Sequence, residues 1–161
     1  MIKSMSKEEL LAKNPIFLEQ VKEGFDNYFY VILHGEKVGM HKFFQLILAD
    51  NVGESFVDFH YARLETEQQK WFVDRLNEAE KMCFQQLEIQ KETIYYPLNE
   101  GNLEFFFEIT VRELLFSTFY FTKQKATIWG NYNLEYPIFA QSKEVLEAYQ
   151  KMAEECGLET K

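Results

Sequence analysis

Three histidines, His34, His41 and His60, fall in one stretch with Glu36 and Asp58, and imidazole with carboxylate is the donor set of zinc and non-haem iron sites. No two of them have the i, i+4 spacing that puts ligands on one helix face, so they are read as structural or surface histidines. Neither a metal nor any other cofactor is expected. Glu104 and Glu108 offer paired carboxylates, which run general acid–base chemistry at about 5–9 Å. On a strand, four residues separate them by roughly 13 Å, so they are expected on a solvated outer face beside Arg112 and Glu113, with Lys123 or Lys125 as a cross-strand partner. No Gly-x-Ser-x-Gly occurs, and "GES" at 53–55 lacks its flanks. The seven glycines are too scattered to cradle a phosphate. Cys83 and Cys156 fit neither metal nor redox spacing. No catalytic residue is assigned.

The most distinctive stretch is "LLFSTFYFTKQKATIWGNYNLEYPIF", residues 114–139, with eight aromatic rings. Aromatic rings beside amides are the chemistry of recognition surfaces. The candidate binding residues are Phe106, Tyr120, Trp129, Asn131, Tyr132 and Tyr136. Phe106, Tyr120, Trp129 and Tyr132 share one sheet face if the strands pair simply, and that face is either an exposed patch or covered by helices of the N-terminal half.

These residues need elements to position them. Ser6 and Glu9 form a capping box, and Asn14-Pro15 reads as the start of a helix running to about Gly24. Residues 26–33 fit helix or strand. "MHKFFQLILAD" has helical spacing, and "SFVDFHYARL" fits helix or, through Val57, Phe59 and Tyr61, a strand. Thr66 to about Glu92 reads as one amphipathic helix of roughly 40 Å, opened by a Thr66/Gln69 capping box. After it the pattern turns to strand. "TIYYP" leads to a turn at Asn99–Asn102, and "LEFFFEIT" alternates Leu103, Phe105, Phe107 and Ile109 against Glu104, Phe106 and Glu108. "STFYFT", "KATIWGNYN" and "EYPIFAQ" follow, Pro137 marking an edge or strand end, and the alternative to a recognition surface here is a bulge at Gly130 that turns the strand with Trp129 buried. Phe105, Phe107, Phe119 and Phe121 are expected core. An amphipathic helix from Ser142 closes the chain, with Gly157 as its C-cap.

The expected class is therefore α+β: N-terminal helices and one long amphipathic helix on a mainly antiparallel, aromatic-rich sheet, closed by a C-terminal helix. At 161 residues, one domain over 1–161 is expected, helical-leaning over 1–92, strand-rich over 93–140, and helical over 142–156. Net charge is −9. Acidic residues outnumber basic ones in residues 1–93, 94–140 and 141–161 alike, with no basic stripe, so direct nucleic-acid binding is not expected. No apolar run is long enough for a membrane span and no secretory leader is legible at the N-terminus, so a cytoplasmic location is expected.

Three functions fit. The first is an acidic protein-binding module, of inhibitor, immunity or adaptor type, steered to a basic partner in a salt-sensitive way. The second is an enzyme or small-ligand binder, whose sign is a pocket gathering at least two of His34, His41, His60, Tyr132 and Arg112. The third is a subunit that self-associates through its aromatic sheet face.

Overall fold

The computed structural model describes residues 1–161. Helices α1 (Lys7–Leu11) and α2 (Val21–Asn27) precede strand β1 (Phe29–His34), helix α3 (Lys37–Asp50) and strand β2 (Ser55–Asp58). A 3-10 turn at Tyr61–Arg63, helices α4 (Thr66–Asp74) and α5 (Glu78–Gln85), strand β3 (Tyr95–Pro97) and helix α6 (Leu103–Val111) follow. Strands β4 (Thr118–Phe121), β5 (Ala126–Trp129) and β6 (Glu135–Ala140), helix α7 (Lys143–Glu155) and strand β7 (Glu159–Thr160) complete the chain. The seven strands form one sheet in the order β3-β2-β4-β5-β6-β1-β7. Every neighbouring pair is antiparallel. The fold is α+β, and no helix is long and apolar enough to cross a membrane.

Strand alternation divides the apolar side chains between the two faces. On one face Leu33, Val57, Phe119, Phe121, Ile128, Tyr136 and Ile138 meet α3, α6 and α7 in a core of 29 buried residues. On the other, Phe56, Tyr95 and Tyr120 meet Leu10, Met5 and Phe17, while Phe139 meets Ile16 and Leu18. That second face is covered largely by an N-terminal arm rather than by a layer of helices. The arm is tied down by an antiparallel bridge between Met5 and Tyr95 and by the Thr127 hydroxyl, which donates to the Ile16 carbonyl.

Four expectations need correction. Residues 14–20 are not helical: Asn14 takes a left-handed φ of 59°, which asparagine tolerates, and turns the chain after α1. The long helix is two. Asn77 caps α5, its side chain accepting from the Glu80 N–H while Glu80 accepts from the Asn77 N–H, and this reciprocal cap starts a new helix after Asp74. The first piece is entered one residue earlier than expected, the Gln68 side chain accepting from the Glu65 N–H.

"LEFFFEIT" is helix α6, not a strand. Its apolar residues satisfy either period, and Asn102 decides by organising the turn before it, accepting from the Asn99 N–H and donating to the Pro97 carbonyl. Phe105 and Phe107 are buried as expected, but Phe106 is buried beside them rather than presented on an outer face. Pro137 lies in an interior strand, opposite Ile32 of β1. Ile32 exchanges both backbone bonds with Lys161 on its other side, so Pro137 is a non-hydrogen-bonded partner whose nitrogen faces β5. Pairing of β5 with β6 reaches only Ile138 and Phe139 there, and no N–H is missed.

Tyr136 is buried against α3, its ring 6.2 Å from that of Phe44, and its hydroxyl has no hydrogen-bond partner. Burial raises its pKa far above the ordinary phenol value. Removing an unpaired buried hydroxyl without changing the ring should help, so Tyr136→Phe is expected to raise unfolding free energy by about 1 kcal/mol in urea denaturation.

Candidate functional site

Antiparallel pairing brings the C-terminal ends of β2 and β5 and the N-terminal ends of β3 and β4 to one end of the sheet. On the face under the N-terminal arm, register then sets Tyr95 opposite Asp58 and Thr118 opposite Trp129, with Asp58 beside Thr118. This row floors a cleft of about 510 Å³. Phe17, Leu18, Glu19 and Lys7 of the arm line it, with Tyr120, and His60, Arg63, Glu92, Phe116, Ser117, Gly130, Asn131 and Tyr132 complete it from the adjoining loops.

The floor is rigidly built. Asp58 is buried, and its Oδ1 accepts the Thr118 N–H at 2.8 Å while its Oδ2 lies 3.2 Å from His60 Nε2. The Ser117 hydroxyl donates to the Asp58 carbonyl at 2.8 Å, so it is turned away from any nucleophilic role at His60. Gly130 N–H donates to the Ser117 carbonyl, and a Cβ on Gly130 would come within 2.5 Å of that oxygen. Glycine is what lets the β5 end close on the 116–118 segment. On the arm side, Phe17 lies nearly parallel to Tyr120, with centroids 6.1 Å apart, and Lys7 Nζ sits over Phe17 while pairing with Glu19.

The electrostatics follow from this packing. Hydrogen bonding to Asp58 raises the His60 pKa above 6.5 against the opposing effect of desolvation. Burial pushes the Tyr95 phenol up to about 12, with the Asp58 charge adding to it, and burial likewise holds Tyr120 well above the ordinary phenol value. Both phenols stay neutral at physiological pH.

Because the folded pKa of His60 is raised, its contribution to stability is complete below the unfolded value and is lost as pH rises through the folded one. In an NMR titration of the His60 ring, Asp58→Asn is expected to lower the midpoint while the Thr118 N–H keeps its acceptor.

Of the candidate residues, Tyr120, Trp129, Asn131 and Tyr132 surround this cleft. Phe106 and Tyr136 lie in the core on the opposite face of the sheet. Asp58 and His60 come together as a pair rather than as parts of one histidine cluster. His34 lies between Glu135 and Glu159 at 4.0 and 3.8 Å, and His41 pairs with Glu104 at 2.7 Å. No three His, Cys, Asp or Glu side chains converge so as to hold a metal ion. Glu104 and Glu108 are one helical turn apart on α6 rather than along a strand, and Glu108 pairs with Lys37 and Arg112, not with Lys123 or Lys125. Phe17, Arg63, Tyr95 and Thr118 were not legible as site residues, since only the strand register and the path of the arm bring them here. The alternation in Asp58-Phe59-His60 was the one available signal: the ring points to the core and its two polar neighbours line the cleft.

The class this arrangement defines is an α+β protein with an aromatic-walled cleft at a sheet end. No protein-family model, no curated protein and no solved structure matches the chain.

Proposed function

We propose that this protein binds a small ligand in the sheet-end cleft. The observation that carries the reading is the convergence of four aromatic side chains from three strands and the arm, Tyr95, Tyr120, Trp129 and Phe17, on the fixed Asp58–His60 pair. Its volume of about 510 Å³ lies within the roughly 300–1,000 Å³ of small-molecule sites, which join apolar walls to a few placed polar groups. The cleft also gathers His60 and Tyr132, two of the five residues whose meeting in a pocket favours a ligand site over a bare protein-docking surface.

The chain has two tryptophans, and Trp71 stacks on Arg75 in α4, outside the cleft. A Trp71→Phe protein therefore reports on Trp129 alone. In a small-molecule screen of that variant, a hit is expected to change Trp129 emission saturably and to raise Tm, since a ligand at about 100 times its Kd stabilises by about 2.7 kcal/mol. A screen in which stabilising hits never move Trp129 emission would place the binding elsewhere and contradict the proposal.

A second reading, an acidic protein-binding module for a basic partner, draws support from a different place. Phe25 and Tyr30 are exposed together where α2 meets β1, their rings edge to face at 4.7 Å, while Phe29 is exposed on the opposite face of the sheet. With a net charge of −9, such a surface would favour a cationic protein. A pull-down from native extract at low and high salt tests it. A stoichiometric basic partner released by salt and lost in Phe25→Ser/Tyr30→Ser supports it, whereas a clean bait at both salts, or self-association alone, counts against it.

A further inference from the structure

Resting on the ligand-binding reading, we propose that the cleft's ligand carries a carboxylate, received between the Arg63 guanidinium and the His60 imidazole, with its apolar body against Tyr95, Tyr120 and Trp129.

The argument is a matter of which charged groups are already committed. Lys7 is held by Glu19 and by the Phe17 ring. Asp58 has one oxygen on the Thr118 N–H and the other facing His60. What stays open on the cleft is mostly donor. Arg63 uses Nε on the Lys91 carbonyl at 3.0 Å, while its two terminal nitrogens have no protein acceptor and no carboxylate within ion-pair distance. His60 engages Asp58 through Nε2 and leaves Nδ1 free, and the Asn131 amide and Tyr132 hydroxyl lie on the same rim without partners. A guanidinium fork matches a planar carboxylate in two parallel bonds.

His60 is held towards its cationic form by Asp58, while the positive charge of Arg63 opposes that form. A carboxylate between the two relieves this repulsion and adds charge-assisted bonds to both. The one carboxylate at the rim without a cation partner is Glu92, which is solvent-exposed and weakens anion binding without blocking it.

Affinity should therefore fall as pH rises through the His60 midpoint. The charged and titratable groups that line the cleft with that imidazole are Asp58 on β2, Arg63 on the 3-10 turn, Glu92 before β3, Tyr95 on β3, Tyr120 on β4, Tyr132 after β5, and Lys7 and Glu19 on the arm.

The test uses three probes with one ring and different head groups: phenylacetate, phenylacetamide and phenethylamine. Each is titrated at millimolar concentration into the full chain while the Trp129 indole N–H is followed by NMR, below and above the His60 midpoint. The acid is expected to bind at least about tenfold more tightly than the amide at the lower pH. Arg63→Gln should remove that preference while leaving amide affinity in place, and Glu92→Gln should strengthen acid binding.

Equal affinity for acid and amide overturns the carboxylate assignment and leaves the ligand-binding reading standing. A preference for the amine also overturns it and makes the cleft a cation site. An acid preference that survives in Arg63→Gln/His60→Gln overturns it by placing the anion elsewhere. No perturbation of Trp129 by any of the three overturns this inference and the ligand-binding reading together.

Discussion

Replacing Phe59 with alanine is expected to destabilise the protein by about 3–5 kcal/mol, the range for removing a buried aromatic ring. Phe59 is almost fully buried where β2 ends. Its ring meets Tyr61, Phe72, Phe84, Tyr96, Phe105 and Phe106 at centroid distances of 5.7–6.2 Å. One side chain thus ties the 3-10 turn, α4, α5, β3 and α6 to the end of a central strand, and no single neighbour can move in to fill the gap. Domains of this kind carry only about 5–15 kcal/mol in all, so a large part of the stability would go.

A shift of the urea midpoint at unchanged m-value checks the loss. Phe59→Leu should retain most of the stability, at a cost of about 1–2 kcal/mol. The position has a second consequence, because Asp58 and His60 flank it. Loosening Phe59 loosens the cleft floor, and ligand affinity should fall even in the leucine variant.

Asn51→Ala is expected to cost about 2–4 kcal/mol for a different reason: it strands hydrogen-bonding groups rather than apolar surface. Asn51 is fully buried at the end of α3. Its amide donates to the Ile47 carbonyl at 2.8 Å and to the Tyr149 hydroxyl at 2.9 Å, and its oxygen accepts the Gln124 N–H at 2.8 Å. The Tyr149 hydroxyl in turn donates to the Gln124 carbonyl at 2.7 Å. α3, α7 and the β4–β5 turn are therefore joined by one small polar network inside the core. Alanine leaves the Gln124 N–H with no acceptor in the space vacated. Tyr149→Phe removes a single member and should cost about 1 kcal/mol. In a double-mutant cycle by thermal or urea unfolding, the two changes should couple, since they cut the same network.

What could be seen in the sequence depended on whether one periodicity excluded the other. β4 and β5 alternate cleanly, Phe119 and Phe121 against Thr118 and Tyr120, and α7 has its serine cap and closing glycine, so these elements were legible. α6 was not. Leu103, Phe105, Phe106, Phe107 and Ile109 are apolar on nearly every side, because the helix is buried almost all round, and such a run fits a strand equally well. The break at Arg75–Asn77 carries neither Gly nor Pro, and only the asparagine cap produces it. Asn14-Pro15 resembled a helix start, but the left-handed Asn14 makes it a turn into the arm.

The same limits governed the site. Tyr120, Trp129, Asn131 and Tyr132 lie close together in one aromatic stretch and could be singled out there. Asp58 and His60 could be noticed as reactive types, but not placed. Arg63, Tyr95 and Phe17 reach the cleft only through the pairing of β2 with β3 and the path of the arm, and neither is written in local spacing.

The measurement that tests the central claim most directly is native mass spectrometry of the protein after incubation with the small-molecule fraction of its source cells. Wild type is compared with Arg63→Ala/Tyr132→Ala, which alters two exposed residues of the cleft rim and leaves the core untouched. The account predicts a discrete small-molecule adduct on the wild type, released on unfolding and absent or strongly reduced in the variant. The same adduct on both proteins at equal occupancy would contradict it.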